Sequence, residues 1–145
     1  MSDYIVDASV VIQHLIADTH TAHVDALFDT VGKTVTLYVP EFCLLECTNV
    51  LWKQVRFQGM SPSQAEQLVT DLMALALRVR IVPVTGLLKP GLQIGLAHQL
   101  AVYDSVYIAL AAKMNHPLIT DDVRQANAAA AEGVTVKPLT DFNPS

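Results

Sequence analysis

The chain has 145 residues, which is enough for one domain with a substantial core. Hydrophobic residues make up 52% of it, yet no apolar run approaches the roughly 18 to 20 residues that a membrane span requires. The net charge of −5 argues against a broad basic field, although clustering of a few acids at one site would leave the remaining surface nearly neutral.

Apolar segments of strand and helix type alternate along the chain. Strands are predicted at residues 4–6, 34–39, 80–84, 116–120 and 134–136. Helices are predicted at residues 9–16, 20–31, 41–58, 62–79, 87–98, 103–112 and 123–131. Gly59 is expected to end the third helix, and Ser61 to cap the fourth, with Pro62 at its first position.

This alternation predicts βαβ crossovers and therefore the α/β class. We expect one domain over residues 1–145, with a parallel sheet of four to five strands covered by helices on both faces. The first strand begins within a few residues of Met1, so no charged leader is expected and the predicted location is cytoplasmic.

Cys43 and Cys47 lie four residues apart on the predicted third helix. A shared metal would need a matching pair of Cys or His ligands, and the sequence offers none at a suitable spacing. Both are therefore predicted to be buried free thiols.

Acidic residues follow two of the predicted strands. Asp7 comes directly after the first strand, and Asp121 and Asp122 come after the fourth. Because ligands of open parallel sheets gather at the carboxyl ends of the strands, these acids are expected at one edge of the sheet.

Further acids occur near the starts of helices and could reach the same edge. Glu41 and Glu46 lie early in the third helix, and Asp104 opens the sixth. A single acid there is explained by the helix dipole, which contributes about 0.3–1 kcal/mol. Several acids together are different, because two unit charges about 4 Å apart repel by about 4 kcal/mol at an effective dielectric of about 20. Such a cluster favours a bound cation, and an all-oxygen ligand set suits Mg²⁺ or Mn²⁺.

Four segments carry a resemblance to a known family. They are residues 6–10 (VDASV), 46–51 (ECTNVL), 103–111 (YDSVYIALA) and 118–122 (LITDD). In this order and spacing they resemble the motif blocks of PIN-domain ribonucleases, and more narrowly those of VapC-type toxins of toxin–antitoxin pairs. The resemblance extends from residue 4 to about residue 136 and identifies residues 1–145 as a single PIN-like domain.

The resemblance implies a metal-dependent endoribonuclease and selects its site residues. Its four acids correspond to Asp7, Glu46, Asp104 and Asp122, as catalytic residues and as ligands of Mg²⁺ or Mn²⁺. Supporting roles are implied for three polar residues, namely Ser9, Asn49 and Thr120. The resemblance also implies an RNA substrate, a small antitoxin partner and a homodimer.

Two choices that the residue pattern leaves open are made by the resemblance alone. It selects Glu46 over Glu41, and Asp122 over Asp121. The acid at position 121 departs from the family pattern and is expected either to compete as a ligand or to face solvent.

The mechanistic hypothesis is metal-assisted hydrolysis. Asp7, Asp104 and Asp122 would bind one ion directly or through water, and Glu46 would share it or hold a second. A water activated by the metal would then attack an RNA phosphodiester in line, without a side-chain nucleophile.

A polar stripe on the third helix is the predicted RNA-binding surface. Glu46, Asn49, Lys53 and Arg56 fall within an arc of about 80° at 100° per residue. Lys53 and Arg56 are predicted to follow the RNA backbone, the alternative being an ordinary solvated face. Trp52 lies beside the stripe and is expected in the core or at an interface, with stacking on a base as the alternative.

Three other functions compete with this one. The five histidines could support metal-free acid–base cleavage of RNA, although nothing pairs them in sequence. A phosphoryl-transfer domain also places an Asp after a parallel strand, but the second acid that such sites need is missing, since Ser9 stands at the phosphatase position. The third alternative is a catalytically silent PIN fold that binds RNA or a protein.

Overall fold

A four-stranded parallel sheet forms the centre of the protein, whose computed structural model describes residues 1–144. The strands are β1 (Ser2–Val6), β2 (Val35–Pro40), β3 (Arg80–Val82) and β4 (Leu118–Ile119). They are arranged in the order β3-β2-β1-β4, with β1 between β2 and β4. Ile5 lies opposite Tyr38 on one side and Leu118 on the other. The predicted α/β class and parallel sheet are confirmed.

Within residues 1–144, seven α-helices connect and cover the strands. They are α1 (Ala8–Leu15), α2 (Thr21–Thr30), α3 (Cys43–Gln58), α4 (Pro62–Ala76), α5 (Leu88–His98), α6 (Val102–Met114) and α7 (Val123–Ala131). Short 3-10 turns precede α5 at Thr85–Leu87 and follow α7 at Leu139–Asp141. Each βαβ crossover returns the chain to the same edge of the sheet, so the loops after the strands meet there.

Local capping signals were accurate guides to the helix ends. Ser61 Oγ accepts a hydrogen bond from the Gln64 backbone N–H, and Pro62 begins α4 as predicted. Gly59 ends α3 in the left-handed region, at φ 78°, where a side chain would be strained.

Several predicted bounds were wrong. The fourth strand covers only Leu118–Ile119 of the predicted residues 116–120, and α4 ends at Ala76 instead of residue 79. The expected fifth strand at residues 134–136 is reduced to a single parallel bridge between Val136 and Leu118. The third strand ends at Val82 instead of continuing to residue 84. Finally, α3 begins at Cys43, so Glu41 precedes the helix, where its backbone N–H donates to the Val82 carbonyl.

The hydrophobic core lies between the sheet and its helices. Ile5, Leu37 and Leu118 of the strands are fully buried, which accounts for their near-continuous apolar sequence in a parallel sheet. Cys43 and Cys47 are also buried, and both are free thiols, as predicted.

Helices α5 and α6 approach each other closely through two glycines. A Cβ at Gly91 would lie 2.7 Å from Val106 Cγ2, and one at Gly95 would lie 3.0 Å from the Leu100 carbonyl oxygen. Ser105 Oγ donates to the Gly91 carbonyl at 2.6 Å. These contacts fix the first turn of α6, which carries Asp104.

Within residues 1–144 no single helix is both long and apolar enough to cross a bilayer. Among the described residues, only Thr85–His98 and Val102–Met114 taken together are long and apolar enough for such a span, and these two segments are bent by 116° with respect to each other.

Candidate active site

A cavity of about 940 Å³ opens where the loops and helix starts meet, and it brings the four selected acids together. Asp7 follows β1, Glu46 lies in the first turn of α3, Asp104 in the first turn of α6, and Asp122 follows β4. Four separate elements therefore each supply one carboxylate. Sequence separation between these residues is large, and only the crossovers of the fold make them neighbours.

Asp7 is the most deeply placed of the four, with 5% of its surface exposed. Its Oδ1 accepts hydrogen bonds from Ser9 Oγ at 2.6 Å and from the Val10 backbone N–H at 3.3 Å, so it caps α1. Its Oδ2 lies 2.7 Å from Thr120 Oγ1. Ser9 and Thr120, two of the three predicted supporting residues, thus hold the two oxygens of this carboxylate.

A buried amide that the sequence analysis missed links this carboxylate to α6. Gln125 is 1% exposed, and its Nε2 donates to the Asp104 carbonyl at 2.9 Å. Its Oε1 lies 2.7 Å from Thr120 Oγ1, the same distance that separates Thr120 from Asp7 Oδ2. Thr120 has one hydroxyl proton, so it can donate to only one of these two acceptors while Asp7 is ionised. The position of Gln125 one turn after Asp122 was the available signal in the sequence.

Asp122 and Asp121 point in different directions. Asp122 Oδ1 caps α7 by accepting from the backbone N–H groups of Arg124 at 2.9 Å and Gln125 at 3.2 Å, and the residue lines the cavity. Asp121 is instead bound by Gln13 Nε2 at 2.8 Å and His20 Nδ1 at 2.9 Å. The extra acid does not line the cavity, and it remains exposed to solvent, as one of the two expectations for it stated. It ties the loop after β4 to α1 and to the start of α2.

Glu46 is positioned by a tyrosine of α6. Tyr107 Oη donates to Glu46 Oε1 at 2.7 Å, and Tyr107 is 1% exposed. Burial raises the pKa of the Tyr107 hydroxyl far above its ordinary range, so it remains a donor. Glu41 has a different task, since its Oε1 accepts from the Val84 backbone N–H at 3.1 Å. It does not line the cavity.

Burial raises the pKa of three of the four carboxyls. The pKa of Asp7 rises from 3.8 to about 6, mainly because the group is desolvated, and Asp122 adds a smaller repulsive contribution. Desolvation is also the first cause for the raised pKa values of Glu46 and Asp104, with repulsion from Asp104 and Asp122 respectively coming after it. Crowding of like charges therefore contributes less to these pKa shifts than burial does.

The donor set suits a hard divalent cation. Four carboxylates line one cavity, and within residues 1–144 none of them forms an ion pair with a basic side chain. No three acidic, His or Cys side chains of the described residues are close enough to hold an ion among them alone. Mg²⁺ tolerates this arrangement, because it keeps several waters and commonly binds through one or two carboxylates. Asp7, Glu46, Asp104 and Asp122 therefore fit such an ion through direct and water-mediated contacts.

The histidines are placed elsewhere. None of the side chains found lining the cavity in residues 1–144 is a histidine. His14 pairs with Asp25 at 2.8 Å, and His98 pairs with Glu132 at 3.2 Å. This arrangement gives no support to metal-free acid–base cleavage by histidine at the acidic cavity.

The polar stripe of α3 only partly reaches this cavity. Asn49 and Lys53 line it, whereas Arg56 lies one turn further along the helix and packs over the Phe57 ring at 5.1 Å. Trp52, expected in the core or at an interface, is 57% exposed and lines the cavity as well. The core placement was therefore wrong.

Residues 4–131 match the family model described as the PIN domain. The match covers most of the chain, so this protein belongs to the PIN domain family.

Individual relatives narrow the resemblance to one branch of that family. The chain is 25% identical over 118 residues to Ribonuclease VapC3 of Pyrobaculum aerophilum, covering 81% of this chain and 88% of the relative. It shares its fold with VapC20 of Mycobacterium tuberculosis, described as a toxin that cleaves the sarcin–ricin loop, at a TM-score of 0.69 and 17% identity, over 93% of this chain and 99% of the other. VapBC2 of Rickettsia felis, solved with a promoter DNA fragment, matches at a TM-score of 0.67 and 15% identity, over 94% and 98%. The resemblance to VapC-type PIN domains is thus confirmed.

Proposed function

We propose that this protein is an endoribonuclease that hydrolyses RNA phosphodiester bonds with the help of Mg²⁺ or Mn²⁺. The observation that carries the proposal is the convergence of Asp7, Glu46, Asp104 and Asp122, from four elements, on one open cavity without ion-paired partners in residues 1–144. Membership of the PIN family and similarity to a protein named a ribonuclease support the same activity.

The four acids would hold the cation, which when bound supplies positive charge for the phosphate and lowers the pKa of water. The residues of the chain prepare this site. Ser9 and Thr120 fix the orientation of the Asp7 carboxylate, and Tyr107 fixes that of Glu46. One oxygen of Asp122 caps α7, which leaves the other available to the cavity.

Water is the nucleophile in this proposal and the ribose 3′-oxygen is the leaving group, so the products should carry 5′-phosphate and 3′-hydroxyl ends. Purified protein should cut structured RNA with added Mg²⁺ or Mn²⁺ and lose that activity in EDTA. Asp7→Asn, Asp104→Asn and Asp122→Asn should each abolish cutting. Ends bearing a 2′,3′-cyclic phosphate would contradict the mechanism, because they require attack by the ribose 2′-hydroxyl.

We further propose that the protein is the toxin of a type II toxin–antitoxin pair in the cytoplasm, bound by a small antitoxin and forming a homodimer. Support comes from the fold shared with a structure described as a toxin–antitoxin complex from Klebsiella pneumoniae. The test is expression of the chain alone and together with the product of an adjacent reading frame. Growth arrest by wild type alone, absent with Asp104→Asn, is expected. Arrest that persists with Asp104→Asn would exclude RNA cleavage as its cause. Binding of RNA without cutting would favour the alternative of a catalytically silent PIN fold.

A further inference from the structure

Trp52, the only tryptophan of the chain, stands exposed in the wall of the acidic cavity. More than half of its surface is open to solvent, at 57%. A second exposed ring, Tyr103, lines the same cavity from the start of α6 and is 61% exposed. Leaving large aromatic surface uncovered beside a charged site is unfavourable unless a ligand covers it.

Trp52 is surrounded by an aromatic ring, two basic side chains and an amide side chain. The Phe57 ring meets the indole edge-on, at 6.0 Å between centroids and 88° between planes, which restricts the orientation of the indole. Lys53 follows it in sequence, and Asn49 lies one turn before Lys53; both line the cavity. Arg56, one turn after Trp52, carries a further positive charge.

The distance from the acids suits a neighbouring nucleotide. Trp52 lies six residues after Glu46 on α3, a rise of about 9 Å along the helix axis at 1.5 Å per residue. A phosphate at the acids therefore leaves the adjoining nucleotides within reach of the indole. Aromatic side chains next to a backbone-binding groove are the usual means of holding unpaired bases in single-stranded nucleic acid.

The exposed apolar side chains of α5 lack this combination. Leu88, Leu92 and Leu96 of α5 are at least half exposed, yet they lie outside the cavity lining that the described residues form. Such a surface fits protein contacts. Trp52 differs because its ring shares one cavity with the carboxylates and with Lys53.

We propose that Trp52 is the stacking platform for an unpaired RNA base next to the cleaved phosphate. Lys53 contacts the adjoining phosphate, and the amide of Asn49 faces the edge of the base. This inference rests on the proposed ribonuclease function and adds to it the residue that stacks on an unpaired base.

Binding can be measured separately from cleavage by working in EDTA with a short single-stranded oligonucleotide. The fluorescence of the sole tryptophan reports directly on its own stacking and should be quenched as RNA binds. Trp52→Leu should weaken binding by about 5- to 150-fold, the range for loss of one stacked base, whereas Trp52→Phe should retain most of the affinity. Met73→Ala, an exposed apolar residue of α4 outside the cavity lining, is the control and should bind as wild type does.

A double-mutant cycle makes the test specific for a base. The same oligonucleotides are prepared with one abasic position moved stepwise along the strand. At one position the abasic substitution should weaken binding to wild type but have no further effect on Trp52→Leu. Duplex RNA should bind wild type more weakly than single strands do.

The proposal is overturned if Trp52→Leu binds every oligonucleotide as tightly as wild type does, or if abasic and Trp52→Leu losses simply add. Normal RNA binding by Trp52→Leu together with loss of self-association or of a protein partner would assign the ring to a protein interface. If wild type cleaves RNA but the abasic and Trp52→Leu effects are not coupled, only the stacking role of Trp52 is refuted. Coupling without metal-dependent cleavage would remove the proposed nuclease function and leave an RNA-binding module.

Discussion

Replacing Asp7 by Asn should stabilise the metal-free protein at neutral pH, although it removes a central residue of the candidate site. The pKa of Asp7 is raised from 3.8 to about 6 by burial. The native state therefore binds a proton more tightly than the unfolded chain does. The stability linked to that proton is fully present below pH about 4 and is lost as pH rises to about 6. At pH 7 the ionised carboxylate costs about 3 kcal/mol, from about two pH units at 1.36 kcal/mol each.

Asparagine also fits the hydrogen bonds of this position better than an ionised carboxylate does. Its Oδ1 can accept from Ser9 and Val10, while its Nδ2 can donate to Thr120 Oγ1. The Thr120 hydroxyl is then free to donate to Gln125 Oε1, so each acceptor has its own proton. The amide thus removes the buried charge without leaving a polar atom unpaired.

The assay is thermal and urea unfolding in EDTA, from pH 4.5 to 7.5, for wild type, Asp7→Asn and the control Asp71→Asn on the exposed side of α4. At pH 7 the Asp7→Asn protein should be more stable by up to about 3 kcal/mol, or about 6–12 °C in Tm for a chain of this size. The difference should shrink toward pH 4.5, and Mg²⁺ should reduce it at pH 7 by stabilising wild type alone. An Asp7→Asn protein that melts below wild type at pH 7, or a difference that stays constant with pH, would refute the argument from burial.

Three further predictions concern residues around the cavity. Lys53→Ala combined with Arg56→Ala should flatten the salt dependence of RNA binding by about one unit of log–log slope per lost phosphate contact, and an unchanged slope would mean that the stripe is ordinary solvated charge. Glu46→Gln should abolish cutting while Glu41→Gln should not, and the reverse result in a cleavage assay would show that the wrong glutamate was selected. Gln125→Leu should lower the free energy of unfolding by about 1–3 kcal/mol per polar partner left unpaired. It should also weaken Mn²⁺ binding, measured by calorimetry, without changing RNA affinity in EDTA. Unchanged Mn²⁺ binding would limit Gln125 to a structural role.

Much of the fold follows from local signals that the sequence carries by itself. The order of a strand, an acidic residue and a helix predicts that Asp7 lies at the edge of the sheet. This prediction is possible because capping and apolar periodicity act over a few residues. Gly59, Ser61 and Pro62 marked their helix ends for the same reason. Long crossovers between apolar strands then require a parallel sheet.

The tertiary structure decided which acids share the cavity. Asp121 and Asp122 are adjacent and chemically equivalent, but Gln13 and His20 hold the first while the second caps α7. Glu41 does not line the cavity, because it precedes α3 and its side chain binds the Val84 backbone N–H. Its neighbour Phe42 packs against Tyr107, with 5.7 Å between the ring centroids. The family resemblance made the same selection, but the physical reason for it lies outside each segment, since the deciding partners come from other elements.

Burial was likewise beyond the reach of the sequence. The sequence alone determined that an acid follows β1, whereas the packing of α1, β4 and α7 around it determined that Asp7 is 5% exposed and that its pKa is raised. The exposure of Trp52 was also unpredictable, because an apolar residue on an amphipathic helix is equally compatible with core and with surface. Solvation depends on what all the other segments cover, and only the assembled fold specifies that.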